Sequence, residues 1–177
     1  HGALWLPSTT AQSNPTTDFG LTFRPYGISF RASTAPADRA KVVGSLGNSA
    51  YQILDNNSGG TTLPHFSGFT GPSLAWAISP DGTRTVGYST SFGKTRAALW
   101  VGTGTPVDIS SGLEDPMNER IGEAKAVNNA GVIVGYSSGF PGGYSIQRPF
   151  SNDGNSTVIS DDDYLTTHSG WPNANGS

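Results

Sequence analysis

The chain has 177 residues with a formal net charge of -3, 13% charged residues, 24 Gly, 12 Pro and no Cys. That length suits one domain burying about 70% of the surface its unfolded form exposes, and the lack of cysteine excludes disulfides, thiolate metal sites and Cys nucleophiles. The Lys and Arg are scattered, which gives no electrostatic footprint for nucleic acid, and no apolar run approaches the ~18 residues of a membrane span.

Abundant Gly and Pro, with heavy use of Ser, Thr and Asn, favour turns and short strands over helices, so the expected fold class is all-β. In chain order, "HGALW" (His1 to Trp5) reads as a strand. "PYGIS" (Pro25 to Ser29) and "KVVGS" (Lys41 to Ser45) read as a strand pair joined by the insertion "FRASTAPADRA". "SAYQI" from Ser49 and "GTTLPHF" from Gly60 supply two more strands. The next group is "AWAISPDGTRTVGYS" (Ala75 to Ser89), "RAALW" from Arg96 and "GTPVDI" from Gly104. It is followed by "AKAVNNAGVIVGYS" (Ala124 to Ser137), "RPFSN" from Arg148 and "NSTVIS" from Asn155. "NANG" (Asn173 to Gly176) falls where a further first turn is due. Short helical turns are expected only around "APADRAK" (Ala35 to Lys41) and "DPMNERIGEA" (Asp115 to Ala124).

These groups are copies of one pattern. A small-x-small-aliphatic strand leads through a turn ending in Gly to a strand closing on Val-Gly, with Gly44, Gly87 and Gly135 as its markers. A polar loop, a third strand and a fourth then follow. The markers step by 43 and 48 residues, within the roughly 40 to 50 residues of a four-stranded propeller blade, and the repeat is about 45–50 residues long. The expected architecture is therefore β-propeller-like: three full units of four short antiparallel strands, with partial units at both ends. The divisions are 1–23 (partial), 24–70, 71–120, 121–165 and 166–177 (the start of a further unit), all in a single β-repeat domain. "SPDG" and "NNAG" are expected to supply positive φ in the first hairpin turn. "HGALW" shares its last three letters with "RAALW", so it reads as a third strand without its first two. Both ends fall inside a unit, compatible with a ring closed from the two ends or with part of a longer array.

The succession "AWAISPDGTRTVGYS…GKTRAALWVGTGTPVDI" resembles the extracellular repeats called HAF, after a His-Ala-Phe triplet that opens their third strand. "HGALW" resembles a degenerate copy of that triplet, whereas Ser49, Arg96 and Arg148 replace its His in the other units. The resemblance implies a bacterial protein that is secreted or at the cell surface, with a propeller-like fold and no family-wide catalytic site. It transfers no functional residue.

An amino-terminal His can grip copper with its amine and imidazole, and His168 is the expected second ligand if the ring closes. That arrangement would make a polysaccharide oxidase, but the enzymes it evokes are built on disulfide-bearing sandwiches. Asp161 and Asp163, in an acidic run, offer oxygens to calcium without a spaced calcium loop. "GYSSG" (Gly135 to Gly139) fits a nucleophile elbow, although the following Gly and Pro cannot make the helix that the motif needs. Trp5 and Trp100 share one repeat position and are expected to pack between units. Tyr26 and Trp76 match in the first strand, and Tyr88 and Tyr136 both follow Val-Gly. Trp76, Tyr88, Tyr136 and Trp171 are the candidate ligand-binding residues, for a glycan. The reading is of a noncatalytic module without cofactor or metal, secreted or at the cell surface, that acts in binding or in extracellular assembly through open sheet edges. A carbohydrate-binding module is the alternative.

Overall fold

Between residues 73 and 108 the chain forms a four-stranded antiparallel sheet, and a second four-stranded sheet and a three-stranded one share its strand order. The computed structural model describes residues 3–4, 17–18, 20, 22–29, 39–55, 57–91, 94–110, 121–139 and 146–152. They form thirteen strands and no helix. The first pair is β1 (Ala3–Leu4) and β2 (Thr17–Asp18). Sheet one comprises β3 (Phe23–Ile28), β4 (Lys41–Leu46), β5 (Ser49–Leu54) and β6 (Thr61–Thr62). Sheet two comprises β7 (Ser73–Ile78), β8 (Arg84–Ser91), β9 (Lys94–Val101) and β10 (Val107–Asp108). Sheet three comprises β11 (Ile121–Val127), β12 (Ile133–Gly139) and β13 (Ile146–Asn152). In every sheet the strands pair in chain order, each antiparallel to the next.

The three larger sheets share their register as well as their order. Gly44, Gly87 and Gly135 pair with Pro25, Ala75 and Ala124 on one side and with Tyr51, Ala98 and Phe150 on the other. Next to each glycine the first strand is bulged, by Tyr26, Trp76 and Lys125. The bulge brings backbone onto the glycine: a Cβ on Gly44 or Gly87 would fall on the carbonyl oxygen of Arg24 or Leu74. Glycine is required there by close approach, with no positive φ involved. The β1–β2 pair repeats the β9–β10 register, Ala3 opposite Asp18 as Ala98 is opposite Asp108. Ala3 and Leu4 of "HGALW" thus pair as the corresponding residues of β9 do with β10.

The hairpin turns repeat too. The backbone N–H groups of Ser29, Ser79 and Asn128 donate to the carbonyls of Lys41, Arg84 and Val132 in turn, and each side-chain oxygen accepts that partner's N–H. Within the two tight turns between first and second strands, positive φ falls on the glycines alone, Gly82 (71°) and Gly131 (88°). Asp81 instead accepts hydrogen bonds from the Ser79 hydroxyl and from the amide and hydroxyl of Thr83, which hold its carboxyl down at about 2.

Two expectations are corrected. The fourth strands are only two residues long, because Pro64 cannot donate to a ladder and Pro106 precedes β10. Leu63 and Ile109 continue the pairing by single hydrogen bonds to Ala50 and Ala97. Of the expected helical turns, Lys41 and Ile121 to Ala124 are strand, with Ala124 buried in a sheet core, and residues 31–38 and 111–120 lie outside the described residues. "NSTVIS" and "NANG" lie outside them as well.

The sheets pack face to face. β7 lies against β3, β4 and β5, and β11 against β7, β8 and β9. One core joins Val43, Ala50 and Leu63 of sheet one to Ala75, Ile78, Ala98 and Trp100 of sheet two. The other joins Val86, Ala97 and Ile109 of sheet two to Ala124 and Ile133 of sheet three. Adjacent residues of a strand face opposite ways, so Ala97 and Ala98, both fully buried, serve different cores. That double burial explains why "RAALW" is nearly continuous in apolar residues. Trp100 is buried, its indole N–H donating to the Pro64 carbonyl at 2.8 Å, so it packs as expected. Trp5 lies outside the described residues.

Candidate functional site

The bulges do more than bend the sheets. A bulged residue has no partner of its own in the ladder and its side chain is re-aimed. Tyr26, Trp76 and Lys125 hold this position in three first strands, of which β7 packs against both β3 and β11. Small neighbours permit the approach. A Cβ on Gly27 would meet Ala77 Cα at 3.0 Å and the Trp76 carbonyl oxygen at 3.2 Å.

The result is one patch. The Tyr26 ring stands edge-on to Trp76, with centroids 4.9 Å apart and planes at 67°. The Lys125 ammonium sits 3.7 Å from the Trp76 centroid and 5.3 Å from that of Tyr136, within the range of cation–π attraction. Trp76 also approaches Tyr88, with centroids 6.5 Å apart. Glu123 ties the group together: its Oε2 accepts hydrogen bonds from Trp76 Nε1 at 2.8 Å and from Lys125 Nζ at 2.5 Å.

Both phenols are held protonated. Burial pushes Tyr136 up to about 12, reinforced by its hydrogen bond to Glu123 and by the charge of that carboxylate. Burial and the same carboxylate also raise Tyr88. The patch therefore offers neutral phenols, an ammonium balanced by a carboxylate, and aromatic ring surface. Tyr26 is 43% exposed and is the ring most open to a ligand.

Of the residues singled out from the sequence, Trp76, Tyr88 and Tyr136 are brought together. His1, His168, Asp161, Asp163 and Trp171 lie outside the described residues. Gly135 to Gly139, the apparent nucleophile motif, lies wholly within β12, with Ser137 paired between Gly122 and Arg148. A residue in mid-strand is not on an elbow. Among the described residues no three His, Asp or Glu side chains cluster as a metal site. No helix there is long and apolar enough to cross a membrane.

Sequence reading missed Glu123 and Lys125. The signal for Lys125 was present, since "AKA" aligns with "AWA"; for Glu123, where the other sheets have Arg24 and Leu74, there was none. No family model matches the chain, and neither a curated protein nor a solved structure matches it.

Proposed function

We propose that the protein is a noncatalytic, propeller-like β-repeat module, secreted or at the cell surface, that binds a saccharide on the patch formed by Tyr26, Trp76, Tyr88, Glu123, Lys125 and Tyr136. The observation that carries this reading is the convergence of three bulged residues from three sheets on one aromatic surface. Ring surface suits the C–H faces of a sugar, while phenol, ammonium and carboxylate groups suit its hydroxyls. Their present commitments argue for binding over catalysis: the Glu123 oxygen already holds Trp76 and Lys125, and the phenols keep their protons. The propeller-like arrangement is supported by the common strand order, the common bulge and the face-to-face packing of first strands. The resemblance to HAF repeats supports the extracellular setting.

The test is a glycan array followed by calorimetry on the best ligand. Tyr26→Ala and Trp76→Ala are each expected to weaken binding about tenfold or more, equivalent to about 1.4 kcal/mol. Chelation should leave it unchanged. Binding that survives both substitutions would move the site elsewhere.

A further inference from the structure

The aromatic patch surrounds a cation. The Lys125 ammonium lies 3.7 Å from the Trp76 centroid and 5.3 Å from that of Tyr136, and 2.5 Å from a Glu123 carboxylate oxygen. Tyr26 and Tyr88 extend the wall on either side of Trp76, their centroids 4.9 and 6.5 Å from it. Ring faces carry negative potential and a carboxylate supplies a counter-charge, so rings and acid grouped about one point select an alkylammonium. Glu123 is built in for this purpose. It stands opposite Tyr136 where the other first strands have Arg24 and Leu74, and the Trp76 indole N–H fixes its Oε2 at 2.8 Å.

The present occupant is tethered but not enclosed. The Lys125 side chain is 37% exposed against 18% for Glu123, and its ammonium ends a flexible four-carbon stem. Lys125 can therefore swing to solvent with no strand moving, while the acid and the rings stay in place. We infer that the saccharide taken by this patch carries a free amine, whose ammonium replaces that of Lys125 between Glu123 and the Trp76 ring. This rests on the saccharide reading of the patch and names the class of sugar. A sugar carboxylate would have to enter beside Glu123, whose charge already reaches both Tyr88 and Tyr136, and like charges repel. A neutral N-acetyl group would leave Glu123 paired with Lys125 and gain no cation–π attraction.

The test uses the full chain and two oligosaccharides of equal length, an N-acetylglucosamine oligomer and its fully de-N-acetylated counterpart. Both are titrated by calorimetry at a pH that keeps the sugar amines protonated. The amine form is expected to bind about tenfold more tightly, and the preference should vanish at a pH where the amines are neutral. Lys125→Ala empties the place and should tighten the amine form about tenfold further. Glu123→Gln still offers an oxygen to the Trp76 indole but no charge, and should bring the two oligomers to equal affinity. Circular dichroism checks that both variants are folded, and the comparison on the unaltered chain needs neither. If the acetylated form binds as tightly as the amine, the inference falls and the saccharide reading stands; if neither binds, both fall. A preference that survives Glu123→Gln would place the attraction elsewhere on this acidic chain, and weaker binding in Lys125→Ala would make that ammonium a ligand of the sugar; either overturns the inference.

Discussion

Lys125 illustrates how a single residue changes what a repeated position does. In sheets one and two the bulge carries an aromatic ring; in sheet three it carries an ammonium that lies over the second ring and is held by Glu123. The carboxylate that fixes Lys125 also holds the Tyr136 phenol in its protonated form. In tyrosine-labelled NMR spectra Tyr136 is expected to titrate near 12, and Glu123→Gln should lower that value towards the ordinary 10.0 without reaching it, because burial, the largest cause, remains. A titration unchanged by Glu123→Gln would remove the carboxylate from the site. The linked effect on stability has a definite sign. Between about 10 and about 12 the unfolded chain releases this proton while the folded chain keeps it, so stability falls as pH rises through that window. Tyr136→Phe should flatten the fall. The aromatic members of the site were legible because they recur in pairs, Tyr26 with Trp76 in the first strand and Tyr88 with Tyr136 after Val-Gly. The ion pair was not, because Glu123 recurs nowhere and two charges in a strand read equally well as a solvated pair.

At the scale of the element, Val-Gly and the Gly-terminated turns carried most of the fold. A strand glycine is informative when something must come close to it, and here a bulged neighbour does. Gly87→Ala would drive a methyl group into the Leu74 carbonyl, forcing β7 and β8 apart. A loss of about 2 kcal/mol or more is expected in chemical denaturation, against a change within about 0.5 kcal/mol for Gly104→Ala, whose added methyl meets only the Val101 carbonyl oxygen at 3.3 Å. Equal effects would mean that the bulge relaxes freely. The fourth strands were read too long because apolar alternation in "GTTLPHF" continues through Pro64, where the ladder cannot. The turn was legible in its glycine: "SPDG" supplies positive φ at Gly82, as expected, while Asp81 works through its side chain.

At the scale of the whole molecule, what matters is how closely the sheets approach. Ala75 and Ala124 precede the bulges in β7 and β11 and are fully buried where those strands meet the preceding sheets. Periodicity marks such residues as small, but only the packed sheets show that they set the spacing. Ala124→Leu would add three carbons to a core already filled by Val86, Ala97, Ile109 and Ile133. Overpacking of this kind costs about 1–3 kcal/mol. The more telling readout is the shape of the transition. Sheet two belongs to both cores, so separating sheet three strips one face of sheet two and exposes Val86 and Ala97 together. Unfolding should therefore remain a single cooperative step in calorimetry, at a lower midpoint. Two resolved transitions in the variant would show that sheet three is held as an independent unit, and that the shared sheet does not couple the two cores.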